Sequence, residues 1–474
     1  MATLDQSRTA ADAGSAEDAR YRAVSFWHDT TPGNLDRRAP LPGDVQADVA
    51  IVGAGFTGLW TAYYLTEADP GLRIVIVESD IAGYGASGRN GGWCYGGLPG
   101  SRHRLAELYG QDGVMRYERA CFDTIDEVGA ALEREGIDAH FHKGGWSTLA
   151  MTQVGLMHAK AAVEGHHAFG HTDADYRLLT AEETRQRTNV PGALGTVFCP
   201  HAARIHPARL ARGLADAVER KGVGIYEGTR ATSIEQGRVV TDRGTVHADI
   251  VIRATEGFTP ELKGEKRRLM PFASCMVATE PLPPEVWDEI GWDGREVLSD
   301  GRRLFIYAQR TADDRIALGG RGHPYIFGSR LETDFHDLPV HQRLKGVIDK
   351  LFPAARDFGI THTWGGVLGI PRDFNASVGL DRRTGIGWAG GYVGDGVAVT
   401  NLAGRTLADL ITERDSDLVS LPWVNHHSRK WEPEPLRWIA ANGSLRLLRI
   451  AERTEETGTR TTLSGRLVDW LTGH

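Results

Sequence analysis

The sequence predicts an α/β protein, α+β overall, with one mostly parallel sheet and a second, mostly antiparallel sheet. Three observations lead to this prediction. An apolar run near residue 50 turns through three glycines into a helical pattern, short apolar runs return near residues 224–252 and 387–412, and alternating runs lie between them. Continuous apolar runs joined by helices are typical of parallel sheets, and alternation is typical of antiparallel ones.

Length and composition limit the class of protein. The 474 residues exceed the roughly 250–300 at which single cores usually stop growing, so two joined domains are expected. A balance of 54 basic against 62 acidic residues argues against a nucleic-acid partner, and no run of 18 apolar residues predicts a membrane span. Four cysteines without a CxxC pair, and a first segment without features of a secretory signal, predict a cytoplasmic protein.

The first element is a βαβ unit. The apolar run Asp48–Val52 predicts a buried strand, and apolar residues at helical spacing predict a helix from Phe56 to the breaker Asp69-Pro70-Gly71. Leu72–Val77 then predicts a second buried strand, which ends at Glu78. Such a unit is the building block of parallel sheets.

Later segments return to this sheet. His206-Pro207 predicts the start of a helix that Gly222 ends, because proline suits the first helical position. Strands are predicted at Gly224–Glu227, Arg230–Ile234 and Ala248–Ile252. The first sheet is therefore expected to be assembled from distant parts of the chain.

Residues 141–200 and 265–370 have a different pattern. Alternating runs such as Arg303–Tyr307 and Arg315–Leu318 predict the antiparallel sheet, and Gly387–Thr412 then predicts a strand, a glycine turn and a helix of the first sheet. Both domains are thus expected to be discontinuous. The expected division is a flexible N-terminus at 1–24, a cofactor-binding domain at 25–140, 201–264 and 371–420, a substrate domain at 141–200 and 265–370, and a helical C-terminal arm at 421–474.

Three glycines after the first strand predict a dinucleotide site. Gly53 allows the tight turn, Gly55 lets a pyrophosphate approach the backbone, and Gly58 lets helix and strand pack closely. Glu78 follows Gly58 by 20 residues, the spacing of an acid that binds ribose hydroxyls. This pattern alone does not separate NAD from FAD.

A second glycine cluster favours FAD. Gly83–Gly92, which reads GYGASGRNGG, has too many small residues for a core segment, and its amides are suited to wrapping a long cofactor. Here the chain resembles the FAD-dependent amine oxidoreductases of the D-amino-acid oxidase superfamily, the glycine and sarcosine oxidase relatives, and especially their gamma-glutamylputrescine oxidase-like branch. Ser25-Phe26-Trp27, Ala254–Gly257 and Gly390–Val397 match further motifs in the same order, so the resemblance covers roughly residues 25–413.

The resemblance implies a Rossmann-type FAD-binding domain, with the helix from Val397 directed at the flavin's pyrimidine end. The FAD is expected to be noncovalent, because Cys94 is better explained as a buried, unmodified cysteine. The residues expected to bind FAD are Gly53, Gly55, Phe56, Thr57, Gly58, Glu78, Ser79, Gly85, Ala86, Ser87, Gly88, Arg89, Asn90, Gly91, Gly92, Trp93, Ala231, Ala254, Thr255, Glu256, Gly391, Gly394, Asp395, Gly396 and Val397.

The resemblance also implies a reaction. A hydride leaves the carbon beside a primary or secondary amine for the flavin, the imine is hydrolysed, and dioxygen reoxidises the flavin to give hydrogen peroxide. Three alternatives stay open: a dehydrogenase that passes electrons to a quinone or carrier protein, an amino-acid oxidase, and a nonenzymatic FAD-binding regulatory protein.

One departure from the family pattern favours an amine. Amino-acid oxidases of this superfamily carry an arginine that clamps the α-carboxylate on the strand after the position of Trp364, whereas Leu368 occupies the corresponding position here. A free α-amino acid is therefore a less favoured substrate than an amine.

The candidate residues for the substrate pocket and catalysis are Trp364, Tyr392, Tyr307, Lys143 and Arg321. Aromatic faces suit an ammonium or alkyl amine, and Lys143 or Arg321 would read an acidic group at the far end of the substrate. The alternatives are that Trp364 and Tyr307 are core residues and that Lys143 is a solvated charge.

No metal is expected, because the histidine pair at 140 and 142 has no third ligand nearby. The expected partners are a small-molecule amine and dioxygen, and a homo-oligomer is left open.

Overall fold

The computed structural model describes residues 15–302, 305–321, 323–332 and 334–457, with the side chains of Arg321 and of residues 452–457 outside the described part. The α-helices are α1 Ala16–Arg22, α2 Phe26–Asp29, α3 Phe56–Ala68, α4 Ala86–Arg89, α5 Arg102–Tyr109, α6 Gln111–Glu135, α7 Gln153–Ala168, α8 Ala181–Arg187, α9 Pro207–Arg220, α10 Pro284–Ile290, α11 Pro339–Leu351, α12 Gly396–Ile411 and α13 Leu436–Thr457. The strands are β1 Val45–Val52, β2 Ile74–Val77, β3 Trp93–Tyr95, β4 Trp146–Ala150, β5 Arg177–Thr180, β6 Gly195–Cys199, β7 Ala202–Arg204, β8 Gly224–Tyr226, β9 Ala231–Glu235, β10 Arg238–Thr241, β11 Thr245–Arg253, β12 Met270–Thr279, β13 Val297–Ser299, β14 Ile306–Arg310, β15 Ile316–Arg321, β16 Ile360–Ile370, β17 Ser377–Asp381 and β18 Ile386–Gly390.

The first sheet has a parallel centre. Its main path is β17-β18-β11-β1-β2-β8, and β1 pairs in parallel with both β2 and β11. Every residue of β2 is buried, as expected for a strand covered on both faces. The strands β9 and β10 form an antiparallel extension beside β11. The carboxyl ends of β1 and β2 therefore lie side by side, at the edge where open α/β sheets bind ligands.

The second sheet runs β16-β12-β15-β14-β13-β4-β6-β5. All of its pairs are antiparallel except β13 with β4. Its strands come from two separated stretches of chain, and those of the first sheet come from three. The predicted fold class is confirmed, while the domain boundaries stay a prediction.

Helix α3 holds the first sheet to the rest of its domain. Nearly all of its residues are buried, because the sheet covers one side and α12 covers another. A Cβ on Gly404 of α12 would lie 2.7 Å from the Trp60 carbonyl carbon, so glycine lets the two helices touch. This packing places the first turn of α3 close to the loop that precedes α12.

The N-terminal expectation needs a correction. Residues 1–14 lie outside the described part, but Ala16–Arg22 is a helix whose N-cap Ser15 accepts hydrogen bonds from two backbone N–H groups. Tyr21 is fully buried in a small cluster with Leu35 and Ile81. An apolar anchor that packs against a distant segment orders this stretch, and such a contact leaves no local pattern in the sequence.

The C-terminal arm, expected to be helical, forms a helix over Leu436–Thr457. It is fixed to the second sheet through Trp431, whose indole N–H donates to the Ile370 carbonyl at 2.7 Å. Within the described ranges, the helices include none that is both long and apolar enough to cross a lipid bilayer.

Candidate active site

A cavity of about 1770 Å³, counting the solvent at its open mouth, is lined by residues of both sheets. Its walls include Val52 and Val77 at the carboxyl ends of β1 and β2, and Ser274 and Gly366 of the second sheet. The cavity therefore lies where open α/β sheets bind ligands, and it extends from there to the second sheet.

The first glycine motif forms one wall. Gly53 follows β1 with φ +106°, and a Cβ there would lie 2.6 Å from the Ala254 carbonyl oxygen. A Cβ on Gly58 would lie 2.0 Å from the Gly53 carbonyl oxygen. Only glycine fits at either position, so the turn brings the backbone to the cavity and starts α3 with its positive end there.

Glu78 lies directly after β2. Its carboxylate accepts hydrogen bonds from the backbone N–H of Ala54 at 2.8 Å and of Asp80 at 3.0 Å. Burial raises the pKa of Glu78, and these backbone donors oppose the rise. The Ser79 hydroxyl also donates to Oε1, at 3.2 Å. Since a carboxylate oxygen has two acceptor sites, Oε2 can still accept from one ribose hydroxyl.

The second glycine cluster is joined to the first. The Ser87 hydroxyl of α4 accepts from the Phe56 N–H at 2.8 Å, which ties α4 to the start of α3. A Cβ on Gly91 would lie 2.5 Å from the Tyr307 ring of the second sheet. The loop at residues 85–92 thus lies between the two domains and faces the cavity with small residues.

The third glycine motif begins α12. Gly396 and Val397 line the cavity, so the positive end of α12 faces it, and Asp395 is the N-cap residue of this helix. The hydroxyl groups of Thr57 and Tyr392 lie 3.0 Å apart in a hydrogen bond. This bond connects the start of α3 to the loop before α12.

The residues expected to bind FAD are brought together in one cavity. Those that line it are Gly53, Gly55, Phe56, Thr57, Glu78, Ser79, Gly85, Ala86, Ser87, Arg89, Asn90, Gly91, Trp93, Ala231, Ala254, Thr255, Glu256, Gly394, Asp395, Gly396 and Val397. Gly58, Gly88, Gly92 and Gly391 do not line it. They shape its turns, because a Cβ on each would lie within 3.1 Å of a neighbouring atom. Two helix N-termini, a fixed acid and a glycine-lined wall fit a flavin dinucleotide.

Glu256 has an unusual position in this wall. Its backbone φ is +38°, a conformation that favours glycine. Its Oε1 accepts from the Tyr392 N–H at 3.3 Å, while the buried Oε2 makes no hydrogen bond with a described residue. Burial raises the pKa of Glu256 to about 7, against the opposing effect of the nearby backbone N–H groups.

The second sheet supplies the remaining wall. The Tyr307 and Ser274 hydroxyl groups lie 2.6 Å apart, and Phe305, Val367 and Leu368 add apolar surface. Sequence reasoning missed Ser274 and Phe305, since neither belongs to a motif. Alternation along the strands gives the only signal, and it does not identify which end of a strand reaches the cavity.

Two of the five predicted substrate contacts, Trp364 and Lys143, do not line the cavity. Trp364 is fully buried beside Phe26 and Trp27, and its indole N–H donates to the Arg89 carbonyl at 2.9 Å. Trp364 and Leu368 lie on the same face of β16. Helix α2 covers the end of the strand where Trp364 lies, so of the two only Leu368 reaches the cavity. Lys143 forms a surface salt bridge with Asp126 and does not line the cavity.

Tyr307 and Tyr392, by contrast, line the cavity. The backbone of Arg321 ends β15 opposite Ser274, and its side chain lies outside the described part. Its predicted contact with an acidic group of the substrate stays a prediction.

Sequence comparison identifies relatives over most of the chain. The family described as FAD dependent oxidoreductase matches residues 48–410. Gamma-glutamylputrescine oxidoreductase of Escherichia coli (strain K12) is 30% identical over 394 residues, which cover 81% of this chain and 88% of that protein. A probable oxidoreductase OrdL of Haemophilus influenzae is 28% identical over 389 residues, which cover 80% of this chain and 86% of that protein.

A solved structure agrees with the fold. Glycine oxidase from Geobacillus kaustophilus aligns with a TM-score of 0.67 at 20% identity, covering 80% of this chain and 99% of that one. At this identity the likeness shows the fold alone. The family match spans all three glycine motifs and the second sheet, so the chain belongs to the FAD-dependent oxidoreductases, and FAD is its cofactor.

Proposed function

We propose that this enzyme oxidises a primary or secondary amine whose reactive carbon bears no carboxylate, with dioxygen as the electron acceptor. Bound FAD would take a hydride from that carbon and pass two electrons to dioxygen, which with two protons becomes hydrogen peroxide. Water then hydrolyses the released imine to a carbonyl compound and an amine or ammonia.

Leu368 is the observation that carries the proposed substrate class. It lines the cavity at the position where the resemblance to amino-acid oxidases places a carboxylate-binding arginine. Its neighbours Phe272 and Ile370 are apolar. A substrate carboxylate at this point would lose its water without gaining a cationic partner, which is costly.

The described arginines of the cavity wall do not replace the missing one. The Nε of Arg89 donates to the Tyr84 carbonyl at 2.7 Å, and its guanidinium stacks on the Tyr84 ring. Arg230 forms a salt bridge with Glu261 at 3.0 Å. Both guanidinium groups already have protein partners: Arg89 donates to the carbonyls of Tyr84 and Gly365, and Arg230 pairs with Glu261.

The residues of the second sheet would position the amine. Tyr307 is held between Gly91 and Gly319, because a Cβ on either glycine would collide with its ring. Its hydroxyl therefore has a fixed place, and Ser274 is bonded to it. The pair offers an acceptor to an amine N–H, and the rigid ring limits how the reactive carbon can approach the glycine-lined wall.

The described part of the wall contains neither histidine nor lysine. A general base at the reacting carbon is therefore not provided by those residue types, and hydride transfer from a neutral amine needs none. The name of the Escherichia coli relative, gamma-glutamylputrescine oxidoreductase, also refers to an amine compound and supports this class.

The test is aerobic turnover of the purified holoenzyme with a panel of monoamines, polyamine derivatives and α-amino acids, with hydrogen peroxide measured against carbonyl product. We expect a 1:1 ratio of peroxide to carbonyl product with at least one amine. Flavin that is reduced by an amine and stays reduced in air would replace the oxidase proposal with a dehydrogenase. Reduction by amino acids alone would overturn the substrate class.

A further inference from the structure

A second cavity lies behind the cofactor loop, on the other side of Gln309. It measures about 380 Å³ including open solvent, and its walls come from the segment around Trp27, the start of α9 and the turn between β14 and β15. It shares no lining residue with the first cavity. None of the residues that line it has a part in the proposed amine oxidation.

Arg204 is the main reason to ask what fills this cavity. Its side chain is only 7% exposed, and its one hydrogen bond to a described residue runs from Nη1 to the His140 carbonyl at 3.1 Å. Nε is buried without a partner, and no described carboxylate forms a salt bridge with the group. A buried charge without a counter-ion is costly, so an anion here would stabilise the protein.

Further groups make the cavity electropositive. The Arg209 Nε is also buried without a partner, and its Nη1 contacts only the exposed Asp138 at 3.0 Å among described carboxylates. Helix α9, of 14 residues, begins here, with the His206 ring accepting from the Arg209 N–H. The one acid of the wall, Asp313, is engaged by Arg315 at 2.7 Å.

Gln309 requires a hydrogen-bond donor from a ligand, whereas the two arginines require an acceptor. Its Nε2 donates to the carbonyls of Gly91 at 2.8 Å and Ile205 at 3.2 Å, which fixes the orientation of the amide. The buried Oε1 is then an acceptor without a partner in a side chain that is 1% exposed. A ligand that satisfies both this oxygen and Arg204 needs an anionic oxygen and an O–H group.

We propose that the second cavity binds a small oxyanion that also carries a hydroxyl group, such as hydrogen phosphate or a 2-hydroxycarboxylate, between Arg204, Arg209 and Gln309. Such a ligand would also steady the cofactor loop. Gln309 holds the Gly91 carbonyl, and the Trp27 indole N–H holds the Asn90 carbonyl at 2.8 Å. Both carbonyls belong to residues that flank the first cavity.

The test is thermal unfolding of the holoenzyme at constant ionic strength with phosphate, lactate or acetate as probes. We expect a saturable rise of Tm with phosphate or lactate, and a weaker response to acetate, which has no hydroxyl. The Arg204→Met variant should keep its FAD absorbance and lose the response. Arg383→Gln, a change at a side chain that is 82% exposed, is the control and should respond like the wild type.

Two results would overturn the proposal: no saturable response of the wild type to phosphate or lactate, or the same response in Arg204→Met. Acetate acting as well as lactate would contradict the role of Gln309. If the Arg204→Met variant does not retain FAD, the response of Tm to phosphate is measured in the Arg209→Gln variant instead. We expect it to raise the half-saturating concentration about tenfold, since a charged hydrogen bond is lost.

Discussion

Leu368 is the residue on which the proposed substrate class depends. In a Leu368→Arg variant, a guanidinium in the cavity wall would repel a cationic amine and offer a partner to a carboxylate. We expect kcat/KM for the best amine to fall by about 10- to 100-fold, and the preference for an amine over its α-carboxylated analogue to shrink by at least as much.

The control is Leu368→Met, which keeps volume and polarity and should change kcat/KM little. Steady-state kinetics on the matched substrate pair gives both numbers. An arginine variant with unchanged preference would show that Leu368 does not contact the substrate.

Glu256 should make the free energy of unfolding depend on pH. Its pKa is raised from an ordinary value near 4.5 to about 7 in the folded protein. Between those values the unfolded chain is ionised while the folded protein holds the proton, so this residue lowers the free energy of unfolding as pH rises. This loss of stability is complete above about pH 7, and there is none below the pKa that Glu256 has in the unfolded chain.

The Glu256→Gln variant lacks this titration. Urea unfolding of the apoprotein measures the free energy of unfolding at pH 5 and at pH 8. Between these two pH values, that free energy should fall by roughly 2 kcal/mol more in the wild type than in the variant. Equal losses would mean that Glu256 is ionised in the folded protein at both pH values.

The position of a single residue could be predicted from the sequence only where its structural role depends on neighbouring residues in the chain. Gly53, Gly55 and Glu78 could be identified because a turn, a helix start and a strand end follow one another within one short segment. Trp364 and Lys143 could not be placed, because α2 covers one and Asp126 binds the other, and both partners are distant in sequence.

At the scale of elements, α3 and its glycine turn shape the wall that we propose binds FAD. Gly58→Ala places a methyl group 2.0 Å from the Gly53 carbonyl oxygen, so the helix must shift away from β1. We expect the variant to be purified with little bound FAD, measured by the ratio of flavin to protein absorbance.

Gly165→Ala in α7 is the matched control, because its Cβ would meet nothing within 4 Å. That variant should keep its FAD and gain about 0.5–1 kcal/mol in the free energy of unfolding. Full FAD content in Gly58→Ala would contradict the part assigned to this turn.

The C-terminal arm supports the cavity wall from behind. Trp431 packs in the cluster that includes Ile370, Tyr325 and the partly buried Leu368. Trp431→Ala should cost about 3–5 kcal/mol of stability and change KM for the amine, because the support behind Leu368 is lost. Trp438, at 40% exposed, offers a comparison in the same arm, and Trp438→Ala should stay within about 0.5 kcal/mol.

Denaturant unfolding and steady-state kinetics of the two tryptophan variants measure both effects. An arm that acts only as an external attachment would give the same KM in both. The sequence pattern indicated a helix here, but its contact with β16 depends on the fold of the whole chain.

At the scale of the whole molecule, the two sheets divide the work of one cavity. The parallel sheet supplies three glycine turns whose motifs predict the fold class and the cofactor, and both are confirmed. The assignment of individual residues to FAD stays a prediction. The antiparallel sheet supplies Ser274, Tyr307 and Leu368 from three separate strands. Their grouping follows from strand pairing across long stretches of chain, which periodicity alone does not determine.

The central claim is that this cavity presents an amine without an α-carboxylate to FAD. The most direct measurement is anaerobic reduction of the bound flavin in a stopped-flow instrument, with one amine from the panel and its α-carboxylated analogue. The account predicts rapid loss of flavin absorbance with the amine, at a rate at least about tenfold higher than with the analogue. Equal or faster reduction by the α-carboxylated compound would contradict it.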